Sequence, residues 1–351
     1  MDDYLEQARA RVLGAAAAGT TLRLRGGGSK DFYGGDLRGD ILETAAYRGI
    51  VAYDPSELVV TVRAGTPLAE VEATLAASGQ MLAFEAPHFG AATVGGCVAA
   101  GLSGPRRPYA GSLRDAVLGV TMMDGRGEVL RFGGQVMKNV AGFDVFRLQA
   151  GALGTLGVLL EVSFKVLPRP EMESTRVYAC NAEQALELMN RHAGLPLPLS
   201  GASFESGRLR LRLSGNAPAV QAAEARLGGD VDSEGAAYWQ DLREHLLPFY
   251  AAETPLWRLS VPSTRASFAD SQTQELIDWG GAQRWLRTTH PAETIRARAH
   301  AAGGHATQFR NGARNATFQP LAPALRALHL RLKQTFDPAG VFNRGRLYPD
   351  F

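Results

Sequence analysis

Two glycine-rich segments are the part of the sequence whose residue types and spacing point most clearly to chemistry. Residues 25–30 read Arg-Gly-Gly-Gly-Ser-Lys, and residues 87–96 read Pro-His-Phe-Gly-Ala-Ala-Thr-Val-Gly-Gly. Glycine lets the backbone adopt positive φ and approach a ligand closely, and successive N–H groups can form a concave anion site. Two such segments suit a pyrophosphate group held by loops. The sequence has no G-x-G-x-x-G opening a helix and no G-x-x-x-x-G-K-[ST] loop, which argues against a Rossmann or P-loop site.

Hydrophobic periodicity predicts the elements that position these segments. We expect a helix over residues 4–18 and a strand over residues 21–25 that runs directly into the first glycine segment. A strand at 58–62 is followed by a predicted helix at 66–77, which begins at a Thr-Pro pair and ends before a glycine. Both glycine segments therefore sit at the ends of regular elements, as ligand-binding loops commonly do.

A pair of prolines predicts a domain boundary. Pro168 and Pro170 follow a long predicted strand at 158–167, and the pattern of predicted strands and helices changes after them. We therefore expect a first domain of residues 1–170 and a second of residues 171–351. In the second domain, strands and helices alternate in a ferredoxin-like α+β manner. A length of 351 residues is consistent with two domains.

Composition excludes several classes of protein. The formal net charge is only +2, which gives no indication of nucleic-acid binding. Cys97 and Cys180 are the only cysteines, too few for a disulfide framework, a cysteine metal site or an iron–sulfur cluster. The acidic N-terminus has no apolar signal region, and no apolar run reaches the ~18 residues of a spanning helix. We expect a cytoplasmic protein that contacts the inner membrane only peripherally or through a partner.

The first 170 residues resemble the FAD-binding module of the vanillyl-alcohol oxidase family, also called the PCMH-type domain. The motifs that carry this resemblance, in chain order, are residues 25–29, 93–96, 101–104, 109–119, 138–144 and 151–158. The C-terminal run 336–348 is similar to the ending of FAD-linked oxidases, although Arg344 stands where the family usually has proline. Five further segments resemble the FAD-binding E subunits of glycolate oxidases: residues 87–90, 99–108, 136–142, 253–260 and 302–307.

This resemblance implies a fold class, a cofactor and its binding residues. The fold would be α+β, with a PCMH-type domain of two α+β subdomains and a C-terminal ferredoxin-like cap that carries the FAD-linked-oxidase tail. FAD would be bound without a covalent link, its pyrophosphate on the amides of the two glycine segments. The residues implied in FAD binding are Gly26, Gly27, Gly28, Ser29, Lys30, Pro87, Thr93, Gly95, Gly96, Gly101, Gly104, Gly111, Asp115, Gly154, Gly157 and Val158.

Catalytic groups are harder to assign. His88, near where the family places the flavin ring, is the candidate proton acceptor because imidazole titrates near neutral pH; the alternative is a loop histidine bonded to backbone. His88 and Cys97 are also the candidates for covalent flavin attachment. Arg106 and Arg107 could bind a substrate carboxylate, pair with acidic groups of a partner subunit, or face water.

One family feature is missing. Relatives that oxidise 2-hydroxy acids carry a C-terminal His-Gly-Asp-Gly-Asn-x-His segment that positions a metal and a base, and the nearest equivalent here is Gly303-Gly304-His305. We therefore expect no metal, since His290, His300 and His305 have no acidic partner in the sequence pattern.

The resemblance implies an FAD-dependent oxidoreductase acting on CH–OH donors, as the FAD-binding subunit of a glycolate oxidase or dehydrogenase complex that forms glyoxylate. The implied partners are a larger FAD subunit with the 2-hydroxy-acid site and an iron–sulfur subunit that passes electrons to quinone. Two alternatives stay open: a stand-alone FAD-dependent 2-hydroxy-acid or alcohol dehydrogenase with His88 as base, and a non-catalytic structural subunit.

Overall fold

The computed structural model describes residues 2–134 and 144–351, without the side chains of Asp2 and Asn315. Most of the 138–144 motif lies outside the described residues. The helices in the described chain are α1 (Asp2–Ala18), α2 (Leu68–Ala77), α3 (Val94–Ala100), α4 (Arg107–Ala110), α5 (Leu113–Ala116), α6 (Ala182–Ala193), α7 (Ala217–Leu227), α8 (Gly235–Glu244), α9 (Ala292–Ala301) and α10 (Pro323–Phe336).

The strands in the described chain are β1 (Leu22–Arg25), β2 (Asp40–Glu43), β3 (Ile50–Asp54), β4 (Val59–Arg63), β5 (Gln80–Met81), β6 (Val117–Met123), β7 (Val129–Gly133), β8 (Val158–Lys165), β9 (Leu167–Pro168), β10 (Met172–Ala179), β11 (Leu199–Glu205), β12 (Arg208–Gly215), β13 (Asp230–Val231), β14 (Leu256–Ser260), β15 (Thr273–Asp278), β16 (Gln283–Thr288) and β17 (His305–Arg310). This mixture of helices and antiparallel sheet confirms the predicted α+β class.

The first compact unit comprises Met1–Leu102, Ser112–Pro168 and Pro320–Phe351. Its main sheet is antiparallel, in the order β3-β4-β8-β6-β7. Helix α2 packs on the sheet because its apolar residues Leu68, Val71 and Leu75 recur at helical spacing, and all three are buried in one core with β4 and β8.

A smaller core in the same unit fixes the start of the first glycine segment. Val12 of α1, Leu22 of β1 and Phe342 of the C-terminal tail are buried together. β1 pairs in parallel with β2, and Leu22 also forms a bridge with Phe342. The chain therefore leaves β1 from a fixed position between β2 and the tail.

The second compact unit comprises Ser103–Gly111 and Arg169–Gln319. Its eight-stranded antiparallel sheet has the order β13-β10-β12-β11-β15-β16-β14-β17. The first half is β10-α6-β11-β12-α7-β13, a ferredoxin-like βαββαβ unit as predicted. The second half, β14-β15-β16-α9-β17, repeats the same strand order but has no helix between β14 and β15. This internal repeat was not expected from the sequence.

Strict alternation explains how one face of this sheet is buried. In β12, Leu209, Leu211 and Leu213 are fully buried, and the arginines between them point to the opposite face. The leucines share cores with residues of α6 and α7.

The compact units differ from the predicted boundary in two segments. Pro320–Phe351 groups with the first unit rather than with residues 171–319, and Ser103–Gly111 groups with the second. The tail joins the first unit because it pairs with β1, a contact that no local sequence pattern reveals. The functional roles assigned to the two domains stay predictions.

Candidate functional site

The first glycine segment is shaped by direct packing against the second. A Cβ on Gly27 would lie 1.5 Å from the carbonyl oxygen of Ala91, and a Cβ on Gly26 would lie 2.2 Å from Thr93 Oγ1. Gly28 has φ +71°, in the left-handed region that favours glycine. These three positions therefore need glycine for the chain's own packing, before any ligand is considered.

This packing leaves a row of available donors. The N–H groups of Gly27, Gly28 and Ser29 donate to no acceptor among the described residues. All three residues line one pocket, together with Lys30. Successive amides with no acceptor of their own are suited to an anionic group.

The second glycine segment does not supply the donors that we expected. The Gly95 N–H donates to the Ala64 carbonyl oxygen at 2.7 Å, and the Val94 N–H donates to Thr66 O at 2.9 Å. The Gly96 N–H is capped by Thr93 Oγ1 at 3.3 Å. The expectation that the amides of this segment share the pyrophosphate is corrected for Val94, Gly95 and Gly96, because the chain itself satisfies their N–H groups. The segment instead forms a wall of the pocket.

The pocket lies within the first compact unit. It is formed by the first glycine segment, the start of α3, the loop at 153–157 and the C-terminal tail. The predicted residues that line it are Gly26, Gly27, Gly28, Ser29, Lys30, Thr93, Gly95, Gly96, Gly154 and Gly157.

The other predicted binding residues have different positions. Gly101 ends α3 with φ 63°, and the carboxylate of Asp115 caps the start of α5 at Ser112. Pro87 and Val158 are buried outside the lining, while Gly104 and Gly111 belong to the second compact unit. None of these six residues lines the pocket.

Two tail residues that were not predicted line the pocket. Asn343 accepts the Leu24 N–H with Oδ1 at 2.8 Å and donates from Nδ2 to Leu153 O at 2.6 Å. It thereby joins β1 to the loop that carries Gly154. The buried Arg346 guanidinium donates to Gly35 O at 2.5 Å and also to Tyr33 O. The C-terminal motif was the available signal, but only the fold shows which of its side chains reach the pocket.

The pocket carries more positive than negative charge. Arg25, Lys30 and Arg346 are its cationic lining residues, and Asp31 is its carboxylate. Asp31 pairs with Arg23 and lies 3.5 Å from Arg25 Nε. The Lys30 ammonium donates to His88 O at 3.1 Å, which holds the two glycine segments together. An anionic ligand matches this balance.

His88 is not among the residues that line the pocket. Its Nε2 lies 3.1 Å from Oε2 of Glu72 on α2. Its role as a catalytic base stays a prediction. Cys97 is fully buried, and burial raises the pKa of its thiol to about 12, which disfavours the thiolate that covalent attachment requires.

The arginine pair has structural contacts within the second unit. The Arg106 guanidinium is buried against the Glu173 carboxylate, and the Arg107 guanidinium lies 4.4 Å from the centre of the Trp279 ring. A substrate role for either residue has no support from these contacts. Among the described residues, no group of three His, Cys, Asp or Glu side chains could hold a metal ion. No helix in the described part of the chain is long and apolar enough to cross a membrane.

Comparisons with known proteins bear on the cofactor and the family. A family model described as an FAD binding domain matches residues 5–133, which confirms an FAD-binding domain in this part of the chain and FAD as the cofactor. A solved structure of alkyldihydroxyacetonephosphate synthase has a TM-score of 0.65 at 15% identity, covering 95% of this chain and 74% of that chain, and shows the fold alone.

Two curated relatives are named as glycolate oxidase subunits. Subunit GlcD of Bacillus subtilis (strain 168) is 31% identical over 126 residues, which are 36% of this chain and 27% of the relative. Subunit GlcE of Escherichia coli (strain K12) is 46% identical over 349 residues, which are 99% of this chain and 98% of the relative. On that match the chain belongs to the family of glycolate oxidase subunit GlcE.

Proposed function

We propose that this chain is the FAD-carrying subunit of a glycolate oxidase complex that converts glycolate to glyoxylate. Electrons would pass to partner subunits, a larger flavoprotein and an iron–sulfur protein, and then to quinone. The single observation that carries the cofactor's placement is the row of three N–H groups without acceptors, Gly27 to Ser29, in a pocket with excess positive charge.

The residues present fit FAD. We assign the pyrophosphate to the amides of Gly27, Gly28 and Ser29, where neutral donors oppose two negative charges and Lys30 adds a cation. Thr93, Gly95 and Gly96 also line the pocket, and Gly154 and Gly157 contribute the loop that Asn343 fixes. When bound, FAD supplies the capacity to accept a hydride or electrons. The chain's own part is to bind and orient the cofactor.

Oxidation of a 2-hydroxy acid also needs a base and a cation for the carboxylate. Here His88 is paired with Glu72, Arg106 with Glu173, and the His-Gly-Asp-Gly-Asn-x-His segment is absent from the sequence. We therefore place the hydroxy-acid site on a partner subunit and give this chain a relay or assembly role for its non-covalently bound flavin.

An anaerobic visible spectrum tests this proposal. We expect the purified chain to show bound oxidised flavin that stays oxidised when glycolate is added, and to be reduced when the GlcD-type subunit of the same genome is also present. Absence of flavin would favour a structural subunit. Reduction of the isolated chain by glycolate would favour a stand-alone dehydrogenase, and would make His88 the first residue to substitute.

A further inference from the structure

Helix α10 has an apolar stripe on a part of the helix that is exposed. Within the helix, Leu325, Leu328 and Leu332 follow one another at spacings of three and four residues, typical of a seam between two helices, and Leu321 precedes the first helical residue by two positions. Leu325 and Leu328 are each 45% exposed, and every residue of 323–328 is exposed. Short helical segments are marginal in water without tertiary packing, so this stripe indicates a face that another element covers.

The stripe continues into a concave apolar pocket of the same compact unit. This pocket has a volume of about 190 Å³ and lies beside the middle of α10, at His329 and Leu332. Its other apolar walls include Leu148, Leu156 and Phe351. A pocket of this size accepts a large side chain from a partner at the end of a helix seam.

Cations outnumber carboxylates around this surface. Helix α10 contains no Asp or Glu; its Arg326 pairs with Asp350 and its buried Lys333 pairs with Asp337. The exposed Arg331 forms no ion pair with any other described residue. The exposed Arg114 lines the pocket and forms no hydrogen bond or ion pair with any other described residue. Arg147, also in the lining, lies 3.2 Å from Asp144. A complementary partner would therefore be acidic.

We propose that the α10 surface, defined as Leu321, Leu325, Leu328, Leu332 and the pocket at Arg114, binds an acidic amphipathic helix of a partner subunit. Apolar residues of that helix cover Leu325 and Leu328, and one of its carboxylates reaches the Arg114 guanidinium. This inference rests on the proposed function of the chain as a subunit of a complex.

Two other occupants fit the surface less well. A second copy of this chain would bring its own Arg114 and Arg331 to a surface that already has both cations, and like charges across an interface are unfavourable. A lipid surface would contact the leucines and arginines but would leave the concave pocket unfilled.

The test is recovery of partner subunits. All subunits of the complex are coexpressed from the same genome with an affinity tag on this chain, and the amount of copurified GlcD-type subunit is measured. The variant Leu325→Asp/Leu328→Asp should lower that amount by roughly tenfold or more. The matched control is Leu13→Asp/Val129→Asp, at residues of the same unit that are 43% and 49% exposed, and it should copurify the partner like the wild type.

Further measurements separate the outcomes. FAD per chain and the thermal unfolding midpoint should be the same in both variants and the wild type, and Arg114→Glu should weaken recovery at low salt. Unchanged recovery with the α10 variant would overturn the docking surface while leaving the proposed function intact. If the wild type bound FAD but recovered no partner, membership of the complex would fail as well.

The same variants address the other occupants. Loss of cosedimentation with phosphatidylethanolamine–phosphatidylglycerol vesicles, at unchanged subunit recovery, would assign the surface to lipid. A change from dimer to monomer in sedimentation velocity of the isolated chain would assign it to a second copy. Either result would overturn the proposal.

Discussion

Lys333 is a buried cation whose removal tests how the C-terminal tail is held beside the FAD pocket. Its ammonium donates to Thr155 O at 2.7 Å, to Asp337 Oδ2 at 2.6 Å and to Phe342 O at 2.9 Å. The Asp337 carboxylate also accepts the N–H groups of Val341 and Phe342. Burial lowers the pKa of Lys333, and the Asp337 charge opposes that shift. The charged state of the Lys333 ammonium therefore depends on the Asp337 carboxylate.

The variant Lys333→Met keeps most of the side-chain volume but leaves the Asp337 carboxylate charged, with 2% of its surface exposed. Breaking a buried ion pair by removing one partner costs about 3–5 kcal/mol of unfolding free energy. Two backbone N–H groups still donate to Asp337, so we expect a loss near the lower end, about 3 kcal/mol. In Lys333→Met/Asp337→Asn the unpaired charge is removed. The loss of unfolding free energy in the double variant should be smaller, by about 1 kcal/mol or more, than the sum of the losses in the two single variants.

Guanidinium unfolding measures these differences. Because the two compact units can unfold separately, the transition that releases FAD is the one to compare. Lys165→Met, at an exposed lysine of β8, is the control and should change the free energy of unfolding by less than about 0.5 kcal/mol. A loss below about 1 kcal/mol for Lys333→Met, or strict additivity in the double variant, would refute the view that this pair fastens the tail.

Three further predictions follow from single sites. Gly96→Leu should lower FAD content without lowering the unfolding midpoint. Among the described residues, a Cβ at Gly96 meets only the Thr93 Oγ1 atom, at 3.3 Å, and the rest of the leucine side chain enters the pocket. Gly14→Ala, where a Cβ has open space, is the control, and FAD content equal to that of the wild type in Gly96→Leu would contradict the placement. Burial, with nearby arginines, holds the pKa of His245 well below its usual range, so the unfolded chain binds a proton that the native chain does not. Stability should fall as pH drops below about 6.5, by up to about 1.4 kcal/mol per pH unit, and His245→Asn should flatten the slope measured by denaturant titration; an unchanged slope would contradict this. Arg346→Met should cost about 2 kcal/mol and lower FAD retention, since carbonyl groups lose their donor, whereas exposed Arg344→Met should do neither.

The sequence was sufficient to predict the FAD-binding fold and the first glycine segment. Glycines at 26, 27 and 28 after a short strand are a local pattern, and the loop that they form depends on local backbone freedom. The alternating leucines of β12 likewise predict a sheet with one buried face, because strand periodicity is a local property.

The roles of the second segment and of the tail could not be predicted in the same way. Whether the Gly95 N–H is free depends on Ala64 O, which lies some thirty residues earlier in the chain. Asn343 reaches the pocket only because the tail pairs with Leu22 of β1. Such long-range pairings are set by tertiary packing, and short sequence motifs do not predict them. The repeated second half of the large sheet escaped detection for a related reason, since its first helix is missing.

Amide hydrogen exchange with and without FAD tests the central claim most directly. The account predicts that FAD slows exchange at Gly27, Gly28 and Ser29, whose N–H groups have no acceptor in the described chain, and changes little at Val94 and Gly95, which are already hydrogen-bonded. FAD binding without protection of residues 27–29, or with new protection centred on residues 94 and 95, would contradict the account.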